Sequence, residues 1–217
     1  MIFKNRAEAG RQLAARLTEY AGRSDVVVLG LPRGGVPVAF EVATRLAAPL
    51  DLLLVRKLGV PGHAELAMGA IAAGGVKVLH RTLIKDLDIP NSLVEQTAVR
   101  ERLELERRDR LLRGVEPFPV VRDHTVIIVD DGLATGATME AAILAVREMK
   151  PACIVAAAPV GAQDTCDRIA EFADRVVCLE IPEPFSAVGL WYDDFAQTSD
   201  DEVQRLLREA RAVLTHP

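Results

Sequence analysis

Residues 126–139 read VIIVDDGLATGATM, and the types and spacing of their polar side chains can do chemistry. Two adjacent carboxylates, Asp130 and Asp131, end an apolar run; Ala134, Thr135, Gly136, Ala137 and Thr138 follow in a small-residue turn that opens a helix. Unpaired backbone N–H groups and the positive end of the helix dipole make such a turn an anion cradle. The hydroxyls of Thr135 and Thr138 add donors, and Gly136 lets the backbone approach a phosphate closely. Carboxylates repel that phosphate, so the acids must address another group. They accept hydrogen bonds from a vicinal diol, or reach a metal through water. A ribose 5-phosphate carries a diol and a monophosphate on one sugar.

Two familiar phosphate signatures do not fit. A P-loop needs G-x-x-x-x-G-K-[ST], whereas Gly132 and Gly136 stand one residue too close and Ala137 takes the place of the lysine. A dinucleotide fingerprint needs G-x-G-x-x-G after the first strand, and the chain offers GLPRGG at residues 30–35.

The elements that must position these residues alternate between strand and helix along the chain. An amphipathic helix is expected over 6–20, a central strand over 25–30, and a helix after LPRGGVP whose early Pro37 has no needed N–H to lose. DLLLVRK at 51–57 predicts one strand. The following LGVPGHAELAMG has turn residues and no clear period, so residues 57–66 are expected to form a mobile loop. Two short strands should flank Gly74 and Gly75. A long charged helix is expected over 91–113, with Glu104 and Arg108, and Glu106 and Arg110, as i, i+4 pairs. Strands at 125–131, 152–160 and 175–181, with helices at 136–149 and 162–172 between them, complete the pattern. The fold class expected is α/β, a doubly wound and mainly parallel sheet flanked by helices, with ligands at the carboxyl ends of the strands.

Composition agrees. The 217 residues suit one α/β domain, half of them are apolar, and only 4% are aromatic, which favours a helix-covered parallel sheet over an aromatic-rich sandwich. A net charge of −5 excludes a global attraction to nucleic acid, and the mixed charges of 91–113 read as a solvated face or a subunit contact. Cys153, Cys166 and Cys178 are too widely spaced for a CxxC pair and read as free buried thiols. His80, His124 and His216 form no ligand spacing, and His63 has no evident partner. Without a basic-then-apolar leader or an apolar run near the ~18 residues of a membrane span, a soluble cytoplasmic protein with no membrane partner is expected.

The 126–139 segment is similar to the phosphoribosyl-diphosphate motif of the type I phosphoribosyltransferases, and the resemblance extends over about residues 26–195. It implies that Asp130 and Asp131 recognise the ribose hydroxyls while residues 134–138 hold the 5′-phosphate. LPRGG resembles the family's pyrophosphate loop, which would place Arg33, Gly34 and Gly35 at the diphosphate. VRKLGVPG resembles the start of the catalytic loop of adenine-type members, with Arg56 and Lys57 meeting the leaving group. Glu65 either handles a base proton or pairs locally. EPFSAVGLWYDDF resembles the C-terminal hood of hypoxanthine-type members, which would bring Phe185, Val188 and Trp191 to an acceptor base; a core role for the aromatic pair is the alternative. On this reading residues 1–180 form the transferase core and 181–217 a small hood with a C-terminal helix.

Departures matter as well. Hypoxanthine-type members carry an aspartate where this chain has Ala134, and Ala137 replaces a glycine common in adenine-type members. The whole series is most similar to a bacterial group of phosphoribosyltransferases whose acceptor is unassigned. The resemblance implies transfer of ribose 5-phosphate from phosphoribosyl diphosphate (PRPP) to a small-molecule nitrogen acceptor, a nucleobase, with Mg2+ held mainly through the substrate and a homodimeric assembly. The alternative is a regulator that senses PRPP or a nucleotide without turnover.

Overall fold

The computed structural model describes residues 2–60 and 63–215, with the backbone alone at 63–65, 214 and 215. Its main sheet holds β1 (Val26–Gly30), β2 (Leu50–Leu52), β6 (Thr125–Val129), β7 (Cys153–Val160) and β8 (Arg175–Glu180), in the order β2-β1-β6-β7-β8. All four pairings are parallel. The helices that flank it are α1 (Arg6–Ala15), α2 (Gly35–Leu46), α5 (Ala137–Glu148), α6 (Gln163–Ala170) and α7 (Asp200–Thr215). Period-two alternation along β1 shows why the strands read as unbroken apolar runs. Val26 and Val28 join one core with residues of α1, α2 and α7, while Val27 and Leu29 join a second core with residues of α5 and α6.

The expected doubly wound, mainly parallel sheet is thus the fold. Its order reverses between β1 and β6: the chain leaves β1 toward β2 on one side, and β6 is followed by β7 on the other. That reversal opens a crevice at the carboxyl ends of the two central strands. LPRGG and DDGLATGAT both start there.

The chain between β2 and β6 differs from expectation. The single strand expected over 51–57 divides after Leu52, and its second part is β3 (Val55–Val60) of a separate antiparallel sheet with β4 (His63–Ala72) and β5 (Val76–Leu79). Residues 57–66, expected as an irregular loop, therefore belong largely to paired strands; Pro61 and Gly62 lie outside the described residues. The physical reason is alternation that glycine and proline conceal: Leu58 and Val60 are buried while Lys57 and Gly59 face out. Gly74 and Gly75, at φ 85° and 80°, make the β4–β5 turn in the left-handed region that glycine tolerates.

A six-residue α3 (Arg81–Asp86) precedes α4, which spans Asn91–Arg113 as its composition predicts and lies against β3 and α7. Its charges pair differently from expectation. Glu104 meets Arg107 at i, i+3, Arg108 turns to Asp200, and Glu101 reaches Arg56 on β3. After β8 the chain crosses to the N-terminal residues, where Phe3 bridges Tyr192, before entering α7. No helix among the described residues is long and apolar enough to cross a membrane.

Candidate functional site

Close packing joins the two loops at the crevice. Gly34 has ordinary helical angles, yet a Cβ there would stand 1.9 Å from Asp131 Oδ2. A Cβ on Gly35 would stand 2.5 Å from the Val129 carbonyl oxygen and 2.9 Å from Asp130 Cα. The glycines of LPRGG therefore let one loop seat against the acids of the other. Arg33 follows Pro32 through a cis peptide and leads directly into this contact.

The two acids differ in surroundings. Asp130 Oδ1 accepts a hydrogen bond from the Asp131 amide at 2.9 Å, and the Asp130 amide donates to the Ala157 carbonyl at 3.2 Å. Burial, with the charge of Asp131 added, holds the Asp130 carboxyl well above the usual carboxylate range. Burial also raises Asp131, but Arg6 opposes that rise: its Nε donates to Asp131 Oδ2 at 2.8 Å, with both side chains largely buried. Arg6 in turn donates from Nη1 to the Ala196 carbonyl at 2.7 Å, and its guanidinium lies 3.9 Å from the Phe195 ring centroid. Tyr192 donates its hydroxyl to the Asp131 carbonyl at 2.6 Å. Burial, and then the charge of Asp131, raise the Tyr192 phenol, which keeps it a donor at neutral pH.

Beyond the acids, Gly136 turns the chain at φ 65° into α5. The carbonyls of this loop are tied backwards, with Thr165 donating its hydroxyl to Ala134 O at 2.6 Å and Arg168 donating to Thr135 O. The amides of Thr135 and Gly136 have no hydrogen-bond partner among the described residues. Ala134, Thr135 and Thr138 are exposed, and Ala137 begins the helix. An anion placed at this turn would meet free N–H groups, hydroxyls and the helix dipole together.

The expected diphosphate side chains do not all converge. Arg56 and Lys57 are neighbours on a strand and point to opposite faces of it. Arg56 lines a cavity of about 210 Å³ with Arg33 and with Arg108 of α4. Lys57 lines another, of about 220 Å³, between the three-stranded sheet and α5, near His80 and Glu140. Arg56 is already bound to Glu101, from Nε at 2.7 Å and Nη2 at 2.6 Å. Burial raises the Glu101 carboxyl, but Arg56 and Arg100 outweigh it and leave the group below its ordinary range. The Glu65 side chain lies outside the described residues.

In the expected hood, Val188 stands over the acid loop: a Cβ on Gly132 would meet its Cγ1 at 2.4 Å. Phe185 and Trp191 are partly buried and pack against the cluster of Phe3, Ala9, Val160 and Tyr192. Sequence reasoning gave no site role to Arg6, Arg108, Thr165, Arg168 or Tyr192. Tyr192 stands within the WYDDF motif and was open to notice; the arginines carry no local signal. Among the described residues, no group of three or more His, Cys, Asp or Glu side chains could hold a metal.

A doubly wound α/β sheet thus carries two adjacent acids and an open small-residue turn at its switch point. The phosphoribosyl transferase domain family matches residues 1–194, and the chain belongs to that family. Two curated proteins of Mycobacterium tuberculosis are similar to it: "Putative phosphoribosyl transferase Rv0571c" of strain H37Rv and "Putative phosphoribosyl transferase MT0597" of strain CDC 1551. Each is 49% identical over 210 residues, covering 96% of this chain and 47% of the relative. The chain thus spans about half the length of these relatives. The crystal structure of TT1426 from Thermus thermophilus superposes with a TM-score of 0.89 at 42% identity, covering 96% of this chain and 99% of that one. AQ2163 of Aquifex aeolicus shares the fold alone, with a TM-score of 0.51 at 13% identity over 83% of this chain and 74% of that one.

Proposed function

We propose that the protein transfers the ribose 5-phosphate group of PRPP to a nitrogen acceptor, a nucleobase, and releases diphosphate, as in nucleotide salvage. The observation that carries this reading is the seating of Gly34 and Gly35 against Asp130 and Asp131. It supports this reading because it brings the two acids against the loop that carries Arg33, a residue lining the neighbouring cavity.

The nitrogen lone pair forms a bond to C1 as the bond from C1 to the diphosphate oxygen breaks, and that electron pair leaves with the diphosphate. Positive charge grows on the sugar ring and negative charge on the leaving group, so positioning and charge stabilisation supply most of the catalysis. Asp130 and Asp131 accept hydrogen bonds from the ribose hydroxyls, and the Thr135–Gly136 amides with the Thr135 and Thr138 hydroxyls hold the 5′-phosphate. Arg33 and Arg56 face the diphosphate, while Lys57, across the strand, reaches it only if the β3–β4 ribbon moves. Glu65 is proposed to take up a proton from the base. Val188, packed against Gly132 of the acid loop, is proposed to contact the base, with Phe185 and Trp191 beside the same small cluster.

Two acids, one of them paired with Arg6, suit a magnesium ion carried on the substrate's own oxygens better than an all-protein cage. Bound in that way, Mg2+ would neutralise leaving-group charge, with Asp130 or Asp131 reaching it through the ribose hydroxyls or water. A homodimer remains part of the same proposal.

Calorimetric titration with PRPP and magnesium should show binding to the wild type and none to Asp131→Asn with its fold intact; equal affinity in both would sink the diol assignment. Diphosphate release is then measured with purine and pyrimidine bases. Acceleration by a base supports transfer, and tight binding without acceleration by any base would leave a PRPP sensor in its place.

A further inference from the structure

Arg108 lies on α4, outside both loops of the crevice, yet it lines the same cavity as Arg33 and Arg56. The apolar walls of that cavity include Leu54 and Leu105, both buried. Low-polarity walls strengthen the attraction between a guanidinium and an anion. Three arginines around one space would repel each other without counter-charge, and two acids supply it in different ways.

Glu101 is bound to Arg56 by short hydrogen bonds and is shared with Arg100. Asp200, the first residue of α7, is held loosely. Its Oδ1 is 3.7 Å from Arg33 Nη1 and 3.5 Å from Arg108 Nη2, and this buried oxygen accepts no hydrogen bond. Both separations are longer than a good N–H···O contact. A carboxylate oxygen suspended between two guanidinium groups, bonded to neither, occupies a place that a better-matched anion would take. A diphosphate presents several oxygens with the geometry that guanidinium forks engage in pairs.

We propose that Arg108 is a third diphosphate-binding residue, supplied by the long charged helix, and that Asp200 is an internal counter-ion displaced when the diphosphate enters. The proposal rests on the assignment of Arg33 to the diphosphate and adds both a binding residue and a competitor to that site. Before the ligand arrives, Asp200 balances Arg33 and Arg108; afterwards the ligand's own charge does so.

The test titrates inorganic diphosphate and, separately, ribose 5-phosphate into the full chain. Losing one charge-assisted contact in Arg108→Gln should weaken diphosphate binding by about ten- to a hundred-fold. Ribose 5-phosphate, which lacks the diphosphate, should bind that variant as it binds the wild type. Asp200→Asn should tighten diphosphate several-fold by removing the competitor, and Arg108→Lys should recover part of the loss. Unchanged diphosphate affinity in Arg108→Gln, no diphosphate binding by the wild type, or weaker binding by Asp200→Asn would each overturn the proposal. If Arg108→Gln does not fold, Arg108→Lys and Asp200→Asn decide by the same signs. Failure of ribose 5-phosphate to bind the wild type, with diphosphate still dependent on Arg108, would remove the sugar-phosphate reading and leave this one standing.

Discussion

Gly34→Ala tests the contact on which the crevice is built. At φ −64° and ψ −32° the backbone accepts alanine without strain, so any cost must come from the added methyl group. That methyl would lie 1.9 Å from Asp131 Oδ2 and 2.7 Å from its Cγ, and Asp131 must swing away from Arg6 Nε, its partner at 2.8 Å. Overpacking of this kind costs about 1–3 kcal/mol. Loss of a glycine from the unfolded chain returns about 0.4–1 kcal/mol. A net loss of about 1–2 kcal/mol corresponds to roughly 2–8 °C in melting temperature for a chain of this size. Thermal denaturation should show that drop, and calorimetry should show ribose 5-phosphate affinity falling with it. In an Asp131→Ala background the same Gly34→Ala change should be neutral or slightly stabilising, because the atoms it strikes are gone. An equal loss of stability in both backgrounds would refute the reasoning, since the clash would then lie elsewhere.

Asp130→Asn should separate stability from function. Because burial and Asp131 raise the Asp130 carboxyl, ionising it opposes the fold. Its effect on stability is absent below the unfolded value of about 3.9 and grows unfavourably as pH rises through the higher folded value. The asparagine variant should therefore melt above the wild type at pH 7, converge with it as pH falls toward 4, and lose ribose 5-phosphate binding; a lower melting temperature at pH 7 would contradict the burial argument. Tyr192→Phe removes the hydroxyl that donates to the Asp131 carbonyl at 2.6 Å while keeping the ring's packing. It should cost about 1 kcal/mol of stability, read from chemical denaturation, and a variant as stable as the wild type would show that the bond contributes nothing net.

The parts of the fold legible from sequence are those where one period dominates. β1, β6 and β7 are apolar runs buried on both faces, and α4 is long and charged enough to show its span from composition. The acid pair and its small-residue turn were legible because a contiguous segment carries them. The antiparallel sheet was not, because the alternation of β3 is broken by glycine and its register shifts at Leu58 and Gly59. Arg56 and Lys57 show a different limit. Adjacent charges suggested joint action, yet strand geometry sends neighbours to opposite faces. Arg6 and Arg108 were hidden for the plainest reason: their partners at the site come from distant segments, and spacing carries no trace of such a meeting.

The guanidinium of Arg6 bonds to residues 125 and 190 positions further along the chain. At about 5–20 residues per second, a ribosome adds those 190 residues in roughly 10–40 s. Through that interval the amino-terminal arm has already emerged, while Ala196 and the ring of Phe195 that receive it have not been made. The sheet's central strands can pair sooner, so a nascent chain passes through a stage with its scaffold formed and its crevice unclamped. The crevice is then completed only after residue 196 has been made, later than the pairing of the strands that flank it.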